Sequence, residues 1–135
     1  MVEEQFHHRI QFIGRIPNQE LNNYYAAANV SILPSVSEAF PLIPLESMAC
    51  GTPVILSNRF SSNEIITDGE NGFLVNVMNS SELAQQIALI LSDQNRIEAM
   101  RSIAKTRIEQ HFDIEKIIEE EVPTAIIVKL SKENK

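Results

Sequence analysis

Three short apolar runs, set between stretches of helical period, constrain this chain more than any other feature. They are Val30-Ser31-Ile32-Leu33, Thr52-Pro53-Val54-Ile55-Leu56 and Phe73-Leu74-Val75. Each is shorter than a core helix and is bounded by proline, glycine or a polar turn residue, the pattern of strands buried in a parallel sheet. An apolar–polar alternation over His8–Gly14 predicts a further strand ending at glycine. Helices are expected over Asn18–Ala28, Ile43–Cys50, about Asn95–His111 and about Ile114–Glu121, with a shorter helical turn near Asn63–Thr67. Another helix begins at Asn79, whose spacing to Glu82 is that of a capping box, and carries the stripe Leu83, Ile87, Ile90 and Leu91. Strands that alternate with helices through short loops build βαβ units. The expected class is α/β, a parallel sheet with helices on both faces.

Local signals place the boundaries. Asn18 is expected to cap its helix, and Tyr24-Tyr25 to supply one core ring and one surface ring. Pro44 suits the first turn of the Ile43–Cys50 helix, where no backbone N–H is needed, and Gly51 suits its end. Asp68-Gly69 and Asn71-Gly72 are turn signals in quick succession, and Pro123 breaks the last helix. The chain is thus divided into a domain over residues 1–122 and a C-terminal tail, 123–135, whose apolar patch Ala125–Val128 has no assigned element.

At 135 residues, with 44% hydrophobic and 21% charged residues, one domain can bury its own core. A net charge of −7 excludes the basic footprint that nucleic acid requires. No apolar run approaches the roughly 20 residues of a membrane span. The acidic opening Met1-Val2-Glu3-Glu4 is unlike a secretory leader, and the single Cys50 forms no internal bridge. A cytoplasmic setting is the expectation. The three histidines, His7, His8 and His111, form no ligand set, so no metal site is expected. Cys50, before Gly51 at a helix end, reads as a small buried thiol rather than a nucleophile.

Parallel sheets bind ligands beyond the carboxyl ends of their strands. The loop after Leu33 lies there, and two carboxylates, Glu38 and Glu46, bracket the apolar stretch Ala39-Phe40-Pro41-Leu42-Ile43-Pro44-Leu45. Backbone N–H groups from about Phe40 to Ile43 are expected to face outward at the helix start, where the helix dipole favours an anion. Pro41 offers only its carbonyl. An anion site in so acidic a chain is expected to rely on such amides or on basic residues supplied from elsewhere, with Arg59 as the best local cation; the alternative for Arg59 is a solvated loop side chain. The carboxylates remain available to accept from hydroxyl groups. Spacing alone does not separate this reading from two solvated glutamates.

The surrounding residues add a resemblance. The run Leu33-Pro34-Ser35, Ser37-Glu38-Ala39-Phe40-Pro41-Leu42, and Leu45-Glu46-Ser47-Met48-Ala49-Cys50-Gly51-Thr52-Pro53-Val54-Ile55 resembles the donor-site signature of the group 1 retaining glycosyltransferases of GT-B fold. So do Glu64-Ile65-Ile66, Asp68-Gly69-Glu70-Asn71-Gly72-Phe73-Leu74-Val75 and, upstream, Gly14, Pro17, Leu21, Tyr25, Ala28 and Val30. His111-Phe112-Asp113 followed by a helix is similar to the family's closing segment, so the likeness runs from Ile10 to Glu121. Where many members carry glycine this chain has Ala39 and Pro41, closest to a Glu-Gly-Phe-Pro subgroup, and a loop often rich in glycine reads Arg59-Phe60-Ser61-Ser62-Asn63.

The resemblance implies a Rossmann-like domain, the donor-binding C-terminal half of a GT-B enzyme. By motif position Glu38 contacts the donor sugar at the reacting centre. Glu46 binds the ribose hydroxyls, and Ala39, Phe40, Pro41 and Leu42 complete the donor site between them. The implied activity is transfer of a hexosyl group from a UDP- or GDP-sugar to an acceptor hydroxyl with retention, in the manner of polysaccharide biosynthesis. No metal or other cofactor is implied. The acceptor domain and the basic phosphate contacts belong to upstream segments, so the 135-residue chain alone is expected to be inactive, with any membrane contact peripheral and made by that other half. Two alternatives remain open: a non-catalytic fragment or subunit serving as a binding or interaction domain, and a related sugar-nucleotide epimerase.

Overall fold

The computed structural model describes residues 3–36, 42–59 and 61–112. Three parallel strands, β1 (Ser31–Leu33), β2 (Val54–Ser57) and β3 (Gly72–Val75), lie in the order β1-β2-β3. Ile32 pairs with Ile55 and Leu33 with Leu56; across the other edge of β2, Ile55 pairs with Phe73 and Ser57 with Val75. Every residue of β2 is buried, as the continuous apolar run predicts for a central strand.

The pleat of β2 divides the core. Val54 and Leu56 face one cluster with Met48, Ile65, Ile66 and Ala104, whereas Ile55 faces another with Phe73, Val75, Ile90, Ile97 and Met100. The first cluster is roofed by α2 (Leu42–Ala49) and by α3 (Ser62–Ile65); the second is roofed by α4 (Ser80–Leu91). Each fully buried Ile or Met on these faces contributes about 1.5–3 kcal/mol relative to exposure. The 18-residue α5 (Gln94–His111) serves both layers. Ile97 and Met100 belong to one cluster, while Ala104 and Ile108 belong to the other, so this helix passes across the end of the sheet. Arg101 marks the crossing: its guanidinium donates to the carbonyls of Ala28 and Gly51, each three residues before a strand begins.

Helix ends follow from local chemistry. The Asn79 side chain accepts from Glu82 N, and Glu82 in turn accepts from Asn76 N rather than closing a reciprocal box. Asp93 caps α5 through Arg96 N. Gly51, at φ 77°, ends α2 and donates to Met48 O.

Several expectations are corrected. Glu4–Arg9 forms a 3-10 helix and the residues after it are not strand. A ladder needs a partner, and no described strand pairs with Ile10–Gly14; Phe12 is 93% exposed there. Asn18 is the first residue of α1 (Asn18–Ala27) and not its cap; Pro17 holds that position with no side-chain hydrogen bond. No residue of α1 is buried, so neither tyrosine is a core ring: Tyr24 is exposed and Tyr25 half-buried. Leu91 turns outward from its expected stripe. The helix expected over Ile114–Glu121 and the tail lie outside the described residues.

Candidate functional site

β1 and β2 run in parallel, so their carboxyl ends, Leu33 and Ser57, open on one edge of the sheet. The chain leaves β1 through Pro34 and returns at Leu42 as α2. Glu38, Ala39, Phe40 and Pro41 lie outside the described residues. Leu42 opens α2 and is 65% exposed, followed by the exposed Ile43. The first helical N–H groups have no intrahelical acceptor, and Pro44 contributes none, which leaves Leu42 and Ile43 as the donors of this end. Glu46 begins the second turn and is exposed.

The opposite side of α2 is locked down. Pro44, Ser47 and Met48 are buried. The hydroxyls of Ser47 and Ser31 are 2.8 Å apart, and Ser47 also reaches the Thr52 carbonyl at 3.2 Å. The Thr52 hydroxyl donates to the Tyr25 carbonyl, fixing α1 against the end of α2. At this junction the Tyr25 hydroxyl donates to Glu46 Oε2 at 3.3 Å. Burial raises the Tyr25 pKa above the usual tyrosine value, and the Glu46 charge and hydrogen bond add to it. Burial also pushes the half-buried Cys50 thiol up, again with help from Glu46, and Cys50 lies 3.7 Å from Asn22 Oδ1. Cys50 is thus held as a thiol, the opposite of an activated nucleophile.

Beyond β2, Arg59 is an exposed loop residue on the same edge, and its carbonyl accepts from the Ser62 hydroxyl. Ser57 Oγ is buried without a hydrogen-bond partner among the described residues, a feature no sequence pattern marked. Glu64 is exposed, and its carbonyl accepts from Arg107. The Asp68–Gly72 motif is a turn held from within: Asp68 accepts from Leu74 N, and buried Asn71 bridges Thr67 N and Ile65 O. A cavity of about 240 Å³ lies between that turn and α5, lined by Thr67, Glu70, Thr106, Arg107, Gln110 and His111 among others. It lies beside the turn that precedes β3, whereas Leu42 opens the helix that follows the carboxyl end of β1. Among the described residues, no cluster of histidine, cysteine and carboxylate side chains is suited to a metal, and no helix is long and apolar enough to cross a membrane.

Residues 3–107 match the family described as glycosyl transferases group 1. A D-inositol 3-phosphate glycosyltransferase of Acidothermus cellulolyticus is 36% identical over 102 residues, which are 76% of this chain and 23% of that protein. Among solved structures, a sucrose-phosphate synthase from Thermosynechococcus elongatus aligns with a TM-score of 0.80 at 35% identity, over 84% of this chain and 28% of that one. The Anabaena protein Alr3699/HepE in complex with UDP aligns with a TM-score of 0.68 at 30% identity, over 71% of this chain and 27% of that one. The chain thus spans about a quarter of the length of these relatives.

Proposed function

The chain belongs to the group 1 glycosyltransferases, and from that premise we propose that it is the nucleotide-sugar-binding part of a GT-B hexosyltransferase that works with retention. Residues 1–122 form the donor domain in this reading and 123–135 a tail. Glu46 accepts from the ribose hydroxyls, Glu38 contacts the sugar at the reacting centre, and Ala39, Phe40, Pro41 and Leu42 wall the site between them. The Leu42 and Ile43 amides face the diphosphate and stabilise the charge that develops as it leaves. An acceptor domain from outside these residues supplies the hydroxyl and the remaining cations. The likeness to Alr3699/HepE, solved with UDP, favours a UDP-sugar over a GDP-sugar. The Glu-Gly-Phe-Pro subgroup and a cytoplasmic setting belong to the same proposal.

The observation that carries the reading is Glu46 itself. It is an exposed carboxylate in the second turn of the helix that follows the carboxyl end of β1, the end where parallel sheets take ligands, and the other face of that helix is buried. Calorimetric titration with UDP and GDP tests it. The chain should bind UDP, and Glu46→Ala should weaken binding by about 10- to 100-fold, the worth of hydrogen bonds to a charged group. Failure to bind either nucleotide at millimolar concentration, or binding indifferent to Glu46→Ala, overturns the reading.

A further inference from the structure

Glu46 lies on an exposed helix flank, where a glutamate samples several rotamers and loses that freedom on engaging a ligand. One partner narrows the choice. The Tyr25 hydroxyl donates to Glu46 Oε2 at 3.3 Å, and among the described residues Oε1 has no hydrogen-bond partner. Tyr25 is in turn fixed where it stands: its carbonyl accepts from the Thr52 hydroxyl and from Ala28 N, and Arg101 holds the Ala28 carbonyl at 2.7 Å. A phenol has only two side-chain torsions, so this donor is placed by the backbone of α1. The buried Ser47 and Met48 fix α2 on the other side.

We propose that Tyr25 is a positioning residue for nucleotide recognition, holding one carboxylate oxygen of Glu46 so that the other meets the ribose diol. The proposal rests on the reading of Glu46 as the ribose contact. Tyr25 touches no ligand in it; the residue acts through Glu46 by preorganisation. Tyr25 therefore affects affinity only for nucleotides that carry the ribose hydroxyls. A packing role for the ring would affect all nucleotides alike.

The test titrates UDP and 2′,3′-dideoxy-UDP into the parent chain, Tyr25→Phe, Glu46→Ala and the double variant, with thermal unfolding followed by circular dichroism. Tyr25→Phe keeps the ring and its packing. It is expected to weaken UDP binding by about 3- to 10-fold, the worth of one hydrogen bond, while the dideoxy nucleotide binds as before. In the Glu46→Ala background, Tyr25→Phe should have no further effect. Equal losses for both nucleotides, or no loss for either, overturn the role of Tyr25. If Glu46→Ala removes the discrimination between the two nucleotides and Tyr25→Phe leaves it whole, the positioning role alone falls. If Glu46→Ala leaves the discrimination intact, the ribose reading falls and takes the positioning role with it.

Discussion

Arg101 in α5 donates from Nη2 to the carbonyl of Ala28 at 2.7 Å, across 73 positions of sequence. Its other terminal nitrogen donates to the Gly51 carbonyl at 3.2 Å, and Nε lies 3.7 Å from Glu98. Both carbonyls belong to residues that lead into strands, so one side chain ties the entries of β1 and β2 to the helix that crosses beneath them. The side chain is only 22% exposed, which limits how well water could replace it.

Replacing Arg101 should therefore cost more than an ordinary surface change. Arg101→Met keeps the aliphatic stem and removes both hydrogen bonds, leaving two partly buried carbonyls unpaired. The expected loss is about 2–3 kcal/mol, read as a lower urea midpoint. Arg101→Lys should recover only part of it, because an ammonium cannot span both acceptors as a planar fork does. A midpoint for Arg101→Met equal to that of the parent would show the crossing to be held by apolar packing alone.

Gly72 and Gly69 sit three residues apart but face different constraints. A Cβ at Gly72 would lie 2.3 Å from the Val54 carbonyl oxygen and 3.0 Å from Ile66 Cδ1, so β2 and β3 would have to part. At Gly69 nothing lies within 4 Å, but φ is +80°. Gly69→Ala should cost about 1 kcal/mol for its backbone conformation, and Gly72→Ala about 2–3 kcal/mol for forced overpacking. Urea unfolding of the two variants side by side decides the order; equal losses would refute the steric account of Gly72.

Much of this arrangement was legible because it is periodic or punctuated. The runs around Ile32, Ile55 and Leu74 are strands, and Ile97, Met100, Ala104 and Ile108 do form the inner stripe of α5. That stripe did not reveal that its two halves serve opposite faces of the sheet. Period reports which side of a helix is apolar, not what lies against it. His8–Gly14 has the alternation of a strand, yet a strand forms only where another chain segment completes its ladder. The site shows the same limit. Glu46 was visible through its motif, whereas its partner Tyr25 lies 21 positions away on another element, and no local pattern couples them. Glu38, Ala39, Phe40 and Pro41 lie outside the described residues.

The start of α4 offers a more local prediction. Asn79 accepts from Glu82 N at 3.2 Å, satisfying one of the otherwise unpaired donors of that helix end. Asn79→Ala should lower stability by about 1 kcal/mol, and Asn79→Asp should be close to neutral or slightly stabilising through the helix dipole. Thermal unfolding at matched pH separates these outcomes. Equal melting temperatures for Ala and Asp at this position would remove the cap from the account.

The Tyr25–Glu46 pair makes a pH prediction whose sign follows from its neighbours. Burial, then the Glu46 charge and hydrogen bond, raise the Tyr25 pKa above the ordinary value of about 10. Between the unfolded and folded values the native state binds the more protons, so its contribution to stability is complete below about pH 10 and is lost as pH rises through the folded value. The chain has two tyrosines, so Tyr24→Phe leaves Tyr25 as the only source of tyrosinate absorbance. In that variant the absorbance should rise with a midpoint above about 10, and adding Glu46→Gln should lower the midpoint without abolishing the part due to burial. Cys50 is displaced in the same direction by the same carboxylate, but its thiolate absorbs in a different region and does not confuse the reading. A Tyr25 midpoint that ignores Glu46→Gln would mean that the two side chains do not interact in solution.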